Sequence, residues 1–154
     1  MDMLLKLYEL PPWKDSTHHA GAGDVIVRRA MAYESRRLIR WVDKTFNALW
    51  ADECAAAFGQ RPVGCYLAHL EQDLLGFCCL DVTFNGFIGP IGVHEDSRGR
   101  GVGSRLLHCA AHDLRMRGYA YAVIGDVGAA EFFKKAAGAV EIPDSTPGAY
   151  PRRF

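Results

Sequence analysis

The segment Arg98–Gly103, with the sequence RGRGVG, lies between an apolar strand pattern and an amphipathic helix pattern. The first backbone N–H groups of a helix have no partner within the helix, and the helix dipole adds positive potential there. Glycine allows a bulky anion to approach these amides, and arginine adds charge-assisted hydrogen bonds. The segment therefore predicts a strand–loop–helix unit whose loop binds a phosphate-rich ligand.

The chain has 154 residues, the size of one domain with a sizeable core. Lysine plus arginine and aspartate plus glutamate number 18 each, which argues against a general nucleic-acid binder. The first residues, MDMLLK, contain neither a long apolar run nor a cleavage site, so we expect no signal peptide and no membrane span. Five cysteines without C-x-x-C spacing indicate reduced thiols that pack the interior of a cytoplasmic protein, without a metal. Cys78 and Cys79 are adjacent in a strand pattern and should face opposite sides of a sheet.

The remaining patterns predict one domain over residues 1–154. Residues 1–24 are predicted to form an N-terminal strand and a mobile polar loop, and residues 140–154 a short strand followed by a turn-rich tail. The predicted strands are Leu4–Tyr8, Val25–Arg28, Cys65–Leu70, Leu74–Thr83, Phe87–Val93, Tyr121–Gly125 and Val140–Ile142. The predicted helices are Glu34–Phe46, Leu49–Phe58, Gly101–Arg117 and Ala129–Ala137.

The strand pattern before the glycine loop contains Pro90, with Gly89 and Gly92 on either side. Proline cannot donate to a strand ladder, so it belongs at an edge or a bulge. We infer a bulge where this strand separates from its neighbour. The separation would leave backbone groups free along an extended groove that ends at the glycine loop.

The order of these elements, with the loop motif Gln/Arg-x-x-Gly-x-Gly/Ala at Arg98–Gly103, resembles the GNAT superfamily of acyl-CoA-dependent N-acyltransferases. The stretch Ala130–Ala139 resembles the last-helix signature of that family, and the likeness covers about Val25 to Ala139. Residues 119–142 also resemble a branch of small bacterial members with mostly unassigned substrates. The resemblance implies an α/β (α+β) fold. Its mixed central sheet is splayed between the strand at 87–93 and the strand at 121–125, with helices on both faces.

The resemblance implies transfer of an acetyl group from acetyl-CoA to a primary amine by direct attack in a ternary complex. In the family, a backbone amide of the splayed strand polarises the thioester carbonyl, and the loop amides meet the pyrophosphate. The residues that this implies for cofactor binding are Ile91, Gly92, Val93, Arg98, Gly99, Arg100, Gly101, Val102, Gly103, Ser104 and, in the last helix, Phe133.

The sequence offers several candidates for the group that accepts the proton of the amine. An amine with a pKa of roughly 10 is mostly protonated at neutral pH, so the site must take up a proton. Asp81 and Asp126 are the main candidate bases, Glu95 is a weaker one, and a water chain without a dedicated base is the alternative. The general acid of the family is usually a tyrosine in the last helix, and Phe133 stands at the matching position. The tyrosines that could replace it are Tyr119, Tyr121 and Tyr150.

The tail after the last helix is too short for the further hairpin that the resemblance implies. We therefore expect an acceptor pocket that is open or is completed by a second subunit in a homodimer. Trp41, Phe46 and Trp50 could line this pocket, although core packing explains them as well. The partners expected are acetyl-CoA and a small-molecule or peptide amine, with no nucleic acid and no membrane. The alternative function, favoured by Phe133 and the short tail, is a non-catalytic acyl-CoA-binding module.

Other interpretations of the same helix and loop are weaker. A Rossmann fingerprint has G-x-G-x-x-G spacing, whereas this loop has G-x-G-x-G, and a P-loop has a lysine that is missing before Ser104. A purely structural turn leaves Arg98 and Arg100 unexplained. His108 and His112 have a metal-like spacing, but the glutamate of H-E-x-x-H is missing, so we expect solvated histidines.

Overall fold

The computed structural model describes residues 1–12 and 24–151, and the predicted loop at 14–24 lies outside them except for Asp24. Every strand and helix predicted within these ranges is confirmed, with bounds that differ by a few residues. The strands are β1 Met3–Lys6, β2 Ile26–Arg29, β3 Cys65–Leu70, β4 Asp73–Leu80, β5 Ile88–Val93, β6 Tyr121–Ile124 and β7 Val140–Glu141. The α-helices are α1 Ser35–Thr45, α2 Ala48–Ala57, α3 Val102–Met116 and α4 Ala130–Ala137. Among the described residues, no helix combines the length and the apolar character needed to cross a bilayer.

The strands form two sheets that meet at one point. One sheet has the order β2-β3-β4-β5 and the other the order β6-β1-β7, and all ladders are antiparallel. The sheets are joined by a parallel bridge between Phe87 and Val123, where the Val123 N–H donates to the Gly86 carbonyl at 2.9 Å. Within the described part of the chain, β5 and β6 share no further ladder. The predicted splayed sheet is confirmed.

The predicted bulge lies in β5. The β4–β5 register shifts between Cys78 and Leu80, because residues 89–90 stand opposite Cys79 alone. A bulge bends the strand that carries the extra residue and increases its local twist. Strand β5 therefore turns away from β6 directly after the bridge that joins the two sheets.

Strand β1 lies between β6 and β7 and pairs antiparallel with both. Its Met3 and Leu5 side chains are fully buried, and its partner β7 is only two residues long. The N-terminal strand thus completes the second sheet, which the short C-terminal tail could not complete by itself. The sequence pattern predicted this strand but not its neighbours, because alternation specifies a buried face and not a pairing partner.

The four-stranded sheet separates two hydrophobic cores, with α3 on one face and α1 and α2 on the other. Cys78 packs in the core beside α3, and Cys79 packs in the core beside α1 and α2, as the strand alternation predicted. All five cysteines are free and buried. Phe77 is fully buried in the second core, where it contacts the rings of the half-buried Trp41 and Trp50.

The expectation of solvated histidines on α3 is wrong. A ring nitrogen of His108 lies 2.9 Å from the Ala136 carbonyl of α4. Burial lowers the pKa of His112, whose ring also meets the backbone of Pro11. The helical spacing correctly placed both rings on one face, but it could not show that α4 and the N-terminal segment cover that face.

Asp113 of α3 ties the helix to the sheet. Its Oδ2 lies 2.7 Å from the guanidinium of Arg29, and its Oδ1 lies 2.8 Å from that of Arg117. Burial raises the pKa of Asp113, but the two guanidiniums outweigh this effect and hold the pKa below its usual value. We expect Asp113→Asn to lower the free energy of unfolding by about 3 kcal/mol at pH 7.

The pH dependence of this loss in unfolding free energy shows whether the loss comes from the ion pairs of Asp113. Because the folded-state pKa of Asp113 is lowered, its stabilisation is present above the unfolded pKa of roughly 3.9 and is lost as the pH falls through the folded value. Urea unfolding should therefore show a difference between variant and wild type that shrinks towards low pH. The matched change Asp96→Asn, at a side chain that is 86% exposed, should have little effect at any pH. A loss from Asp113→Asn that does not change with pH would contradict the ion-pair account.

Candidate functional site

The loop at 98–103 connects β5 to α3 through two left-handed glycines. Gly101 is the N-cap residue of α3, with φ 77° and ψ 3°, and Gly99 has φ 74°. Both conformations favour glycine. No side chain among the described residues caps α3, so the amides of residues 102–104, which have no helical acceptor, face the space before the helix. A Cβ added at Gly99 or Gly101 would meet no atom within 4 Å, which leaves room for a ligand.

Two exposed arginines belong to this loop. Arg98 donates through Nε to the Val93 carbonyl at 3.2 Å, so its side chain lies over the end of β5. Arg100 is exposed one residue before the cap. Glu95, the weaker candidate base, is exposed on the short turn that precedes the loop. The loop therefore combines helix amides, open space and two cations, which is the donor set that an anion requires.

The last helix covers the first turn of α3 with its aromatic pair. A Cβ at Gly103 would lie 3.1 Å from the ring of Phe132, so only glycine fits there without movement of that ring. Phe133 is 5% exposed and packs in the core beside α3, with its ring 4.9 Å from that of Phe132. Of the two aromatic residues, Phe132 is the one that borders the loop.

The free edge of β5 carries backbone amides that face the opening between the sheets. The His94 N–H donates to the β4 backbone at 2.8 Å, and Gly92 is paired with Phe77 of β4. Because peptide groups alternate along a strand, the amide of Gly92 also points to β4, and those of Ile91 and Val93 point to the opposite edge. Two of the three strand residues singled out from the sequence thus present their amides to the opening.

The two main candidate bases lie in different surroundings. Asp81 accepts the Gly86 N–H at 2.6 Å through Oδ1 and forms an ion pair with Arg117 at 3.0 Å through Oδ2. It therefore fixes the turn before β5 to the end of α3. Asp126 is exposed two residues after the end of β6, and its N–H donates to Oδ1 of Asp2 at 3.0 Å. Asp126 thus lies on the rim of the opening with its own carboxylate exposed.

A carboxylate that the sequence analysis missed, that of Glu53 in α2, lies where the two sheets join. Its Oε1 accepts the hydroxyl of Tyr150 at 3.1 Å and that of Thr83 at 2.5 Å. The Tyr150 ring packs against Phe87, and a Cβ at Gly125 would lie 2.6 Å from this ring. Two hydroxyls thus orient the carboxylate without neutralising its charge. In the sequence, Glu53 is marked only by its place on the same predicted helix as Trp50. Its two hydrogen-bond partners lie 30 and 97 positions away along the chain.

Tyr150 is the tyrosine that the structure places at this junction. Burial raises its pKa, and the charge and hydrogen bond of Glu53 raise it further, so the hydroxyl stays protonated at neutral pH. Tyr119 packs against the turn at Gly86. Tyr121 is on the surface, where its hydroxyl meets that of Tyr8 at 3.3 Å. Of the three tyrosines considered as proton donors, Tyr150 alone contacts a carboxylate at the junction.

An aromatic surface lies over β5 on the side of the sheet that carries α2, the helix of Glu53. A Cβ at Gly92 would lie 2.6 Å from the ring of Phe46, whose centroid is 5.2 Å from that of Trp50. Trp41, Phe46 and Trp50 are half-buried, so each ring both packs the core and presents an exposed part. Trp50 lies three residues before Glu53 on α2, so the two share one side of the helix.

Asp2 anchors the C-terminal tail over the junction. Its side chain is buried and accepts the N–H of Asp126 and, at 2.7 Å, that of Ala149, while its own N–H donates to Ser145 Oγ at 2.8 Å. These bonds hold the segment that carries Tyr150. The chain's own tail therefore covers one side of the junction.

We expect Asp2→Ala to release this tail, because two backbone donors lose a buried charged acceptor. Limited proteolysis with mass spectrometry should show cleavage within residues 142–151 at least tenfold faster than in the wild type, which corresponds to about 1.4 kcal/mol of local stability. The exposed Asp144, whose φ of 58° asparagine also tolerates, provides the matched control, and Asp144→Asn should leave the cleavage rate close to that of the wild type. Equal cleavage rates in the Asp2→Ala protein and the wild type would contradict the anchoring role.

Known proteins share this fold. A family model described as the Acetyltransferase (GNAT) family matches residues 34–139. A fungal GCN5-related glucosamine N-acetyltransferase region has a TM-score of 0.68 at 14% identity, over 88% of this chain and 19% of that chain. A GCN5-related N-acetyltransferase from Sphaerobacter thermophilus has a TM-score of 0.65 at 20% identity, over 90% and 47%. A GNAT family acetyltransferase from Brucella melitensis, solved with acetyl-CoA, has a TM-score of 0.54 at 17% identity, over 73% and 81%. The chain spans less than half the length of the first two structures, and no curated protein matches it.

Proposed function

Because the chain belongs to the GNAT acetyltransferase family, we propose that it transfers an acetyl group from acetyl-CoA to a primary amine. The observation that carries this proposal is the uncapped start of α3 behind loop 98–103, next to the point where β5 leaves β6. The fit is chemical as well as geometric. A diphosphate needs several hydrogen-bond donors and cations around an open space. The loop offers the amides of the helix start, two arginines and that space. The Brucella melitensis relative, solved with acetyl-CoA, supports the choice of acyl donor.

We assign each part of the acyl donor to the hydrogen-bond donors that line the groove. The amides at the start of α3 (Val102, Gly103 and Ser104), with Arg98 and Arg100, bind the diphosphate. The free-edge amides of Ile91 and Val93 bind the extended part of the acyl donor. An N–H group aimed at the thioester carbonyl stabilises the negative charge that develops as the amine attacks.

We assign the proton acceptor to Glu53, directly or through one water. Its carboxylate is held by two hydroxyls beside an aromatic surface, an environment that attracts an ammonium group by charge and by cation–π contact. Asp126, exposed on the rim, is the second candidate. Asp81 is already committed to Gly86 and Arg117.

Tyr150 is our candidate proton donor to the departing thiolate, in place of the family tyrosine whose position holds Phe133. A thiol with a pKa of about 8.5 leaves without much help, so this role is expected to be secondary. The alternative function, an acyl-CoA-binding module without turnover, is favoured by the burial of Phe133, which has no hydroxyl at the usual place of the acid.

One assay separates the two functions. The protein is incubated with acetyl-CoA and a panel of amines, and thiol release is followed while calorimetry measures acetyl-CoA binding. Amine-dependent release supports the acetyltransferase. Binding without amine-dependent release would favour the binding module, and neither binding nor thermal stabilisation at millimolar acetyl-CoA would refute both functions.

The acceptor, the assembly and the location of the protein are further parts of this proposal. We propose a small-molecule or peptide amine, a cytoplasmic location in keeping with five free thiols, and a homodimer that completes the side of the pocket left uncovered by the tail. Light scattering combined with the thiol-release assay tests the dimer. A monomer with full amine-dependent activity would contradict it.

A further inference from the structure

Three cysteines from three different elements converge in the core beside α1 and α2. Cys54 lies in α2, Cys65 in β3 and Cys79 in β4, and their sulfurs all lie within 4.8 Å of one another. Cys65 and Cys79 stand directly opposite each other in the β3–β4 ladder, and Cys54 reaches them from the helix above. All three side chains are fully buried. Neither the fold nor the proposed acetyl transfer requires three thiols at one point.

The spacing suits one ion bound by three sulfurs. A metal–thiolate bond is about 2.3 Å long, which sets the sulfurs around a shared ion roughly 4 Å apart. The three sulfurs are thus within a small side-chain adjustment of a three-coordinate site. They also come from elements that pack together in the folded chain, so the site is assembled by folding alone.

The apolar surroundings of the three cysteines favour an ion whose charge the three thiolates balance. The buried polar or charged residues in 1–12 and 24–151 are Asp2 and Ser97, and neither belongs to this core. A net charge left among these apolar side chains is costly. Three thiolates balance a trivalent ion, whereas a monovalent or divalent ion leaves the site negative. We propose that Cys54, Cys65 and Cys79 form a binding site for one trivalent thiophilic ion of the arsenic(III) type.

The binding reaction balances without an oxidant or a reductant. Arsenous acid, As(OH)₃, exchanges its three As–O bonds for three As–S bonds, and each hydroxide leaves with one thiol proton as water. The arsenic stays trivalent, and both the reagents and the complex are neutral.

The wild-type protein provides the first test, with arsenite as the probe and a thiol-free phosphine as the reductant. Native mass spectrometry should show a single adduct whose mass is that of one arsenic atom less three hydrogens, and X-ray absorption should show three sulfur neighbours. No adduct, or an adduct that keeps a hydroxyl and uses two sulfurs, would overturn the proposal. This readout needs no substitution and no acetyl transfer, so it stands or fails separately from the proposed function.

Matched variants locate the site. Cys54→Ala and Cys65→Ala should each lose the three-sulfur adduct and the rise in melting temperature that arsenite produces in the wild type. Cys78→Ala is the control, because Cys78 is equally buried and adjacent in sequence but packs in the opposite core. The control should keep both the adduct and the thermal shift. Loss of the adduct in Cys78→Ala, or its retention in a folded Cys65→Ala protein, would refute the assignment.

Discussion

Calorimetry on a Gly103→Glu protein should show coenzyme A binding weakened at least a hundredfold, which corresponds to about 3 kcal/mol. Gly103 lies in the first turn of α3, where the uncapped amides face the open loop. A carboxylate at this position repels a phosphate and competes with it for the same N–H donors. The change should therefore remove the main source of affinity and leave the fold in place.

A Gly103→Ala control separates charge from packing. A Cβ at this position lies 3.1 Å from the ring of Phe132, which must move by a few tenths of an ångström to admit it. The alanine variant should therefore bind coenzyme A with only a small loss. Equal affinities of the alanine and glutamate variants would show that the helix amides do not bind the ligand. Melting temperatures of both variants confirm that the comparison is made between folded proteins.

The structural features around the candidate site that the sequence predicted correctly are those imposed by local backbone geometry. Gly99 and Gly101 adopt left-handed conformations that few other residues tolerate, and the loop they form was predicted from six consecutive letters. The bulge at residues 89–90 follows from a proline that cannot join a ladder. Alternation along β4 likewise predicted that Cys78 and Cys79 face different cores.

The parts that the sequence could not predict depend on contacts between distant segments. Glu53 became a candidate only because Tyr150, 97 positions away, donates to its carboxylate. Asp81 was selected for its strand position, yet its left-handed backbone, with φ 53°, turns the carboxylate towards Gly86. The three-thiol cluster likewise needs α2, β3 and β4 to meet, which no spacing along the chain reveals.

The second large effect is expected from Glu53→Gln, which should lower the rate of amine acetylation by about 10²- to 10⁴-fold at neutral pH and leave coenzyme A affinity unchanged. Glutamine keeps an oxygen that can accept from Tyr150 and Thr83, so the local structure is retained while the basic group is lost. The matched control is Asp52→Asn, the exposed neighbour on α2, which should acetylate at the wild-type rate.

The pH profile of the Glu53→Gln protein shows whether the lost group was a base. An acceptor amine with a pKa of roughly 10 deprotonates by itself as the pH rises, and it then needs less help from the enzyme. The deficit relative to the wild type should therefore shrink steadily between pH 7 and pH 10 if Glu53 takes up the proton, because only the protonation step has been impaired. A deficit that does not change with pH would mean that Glu53 only positions the acceptor. If the Glu53→Gln protein is fully active and the Asp126→Asn protein is inactive, the base is Asp126 on the rim of the opening.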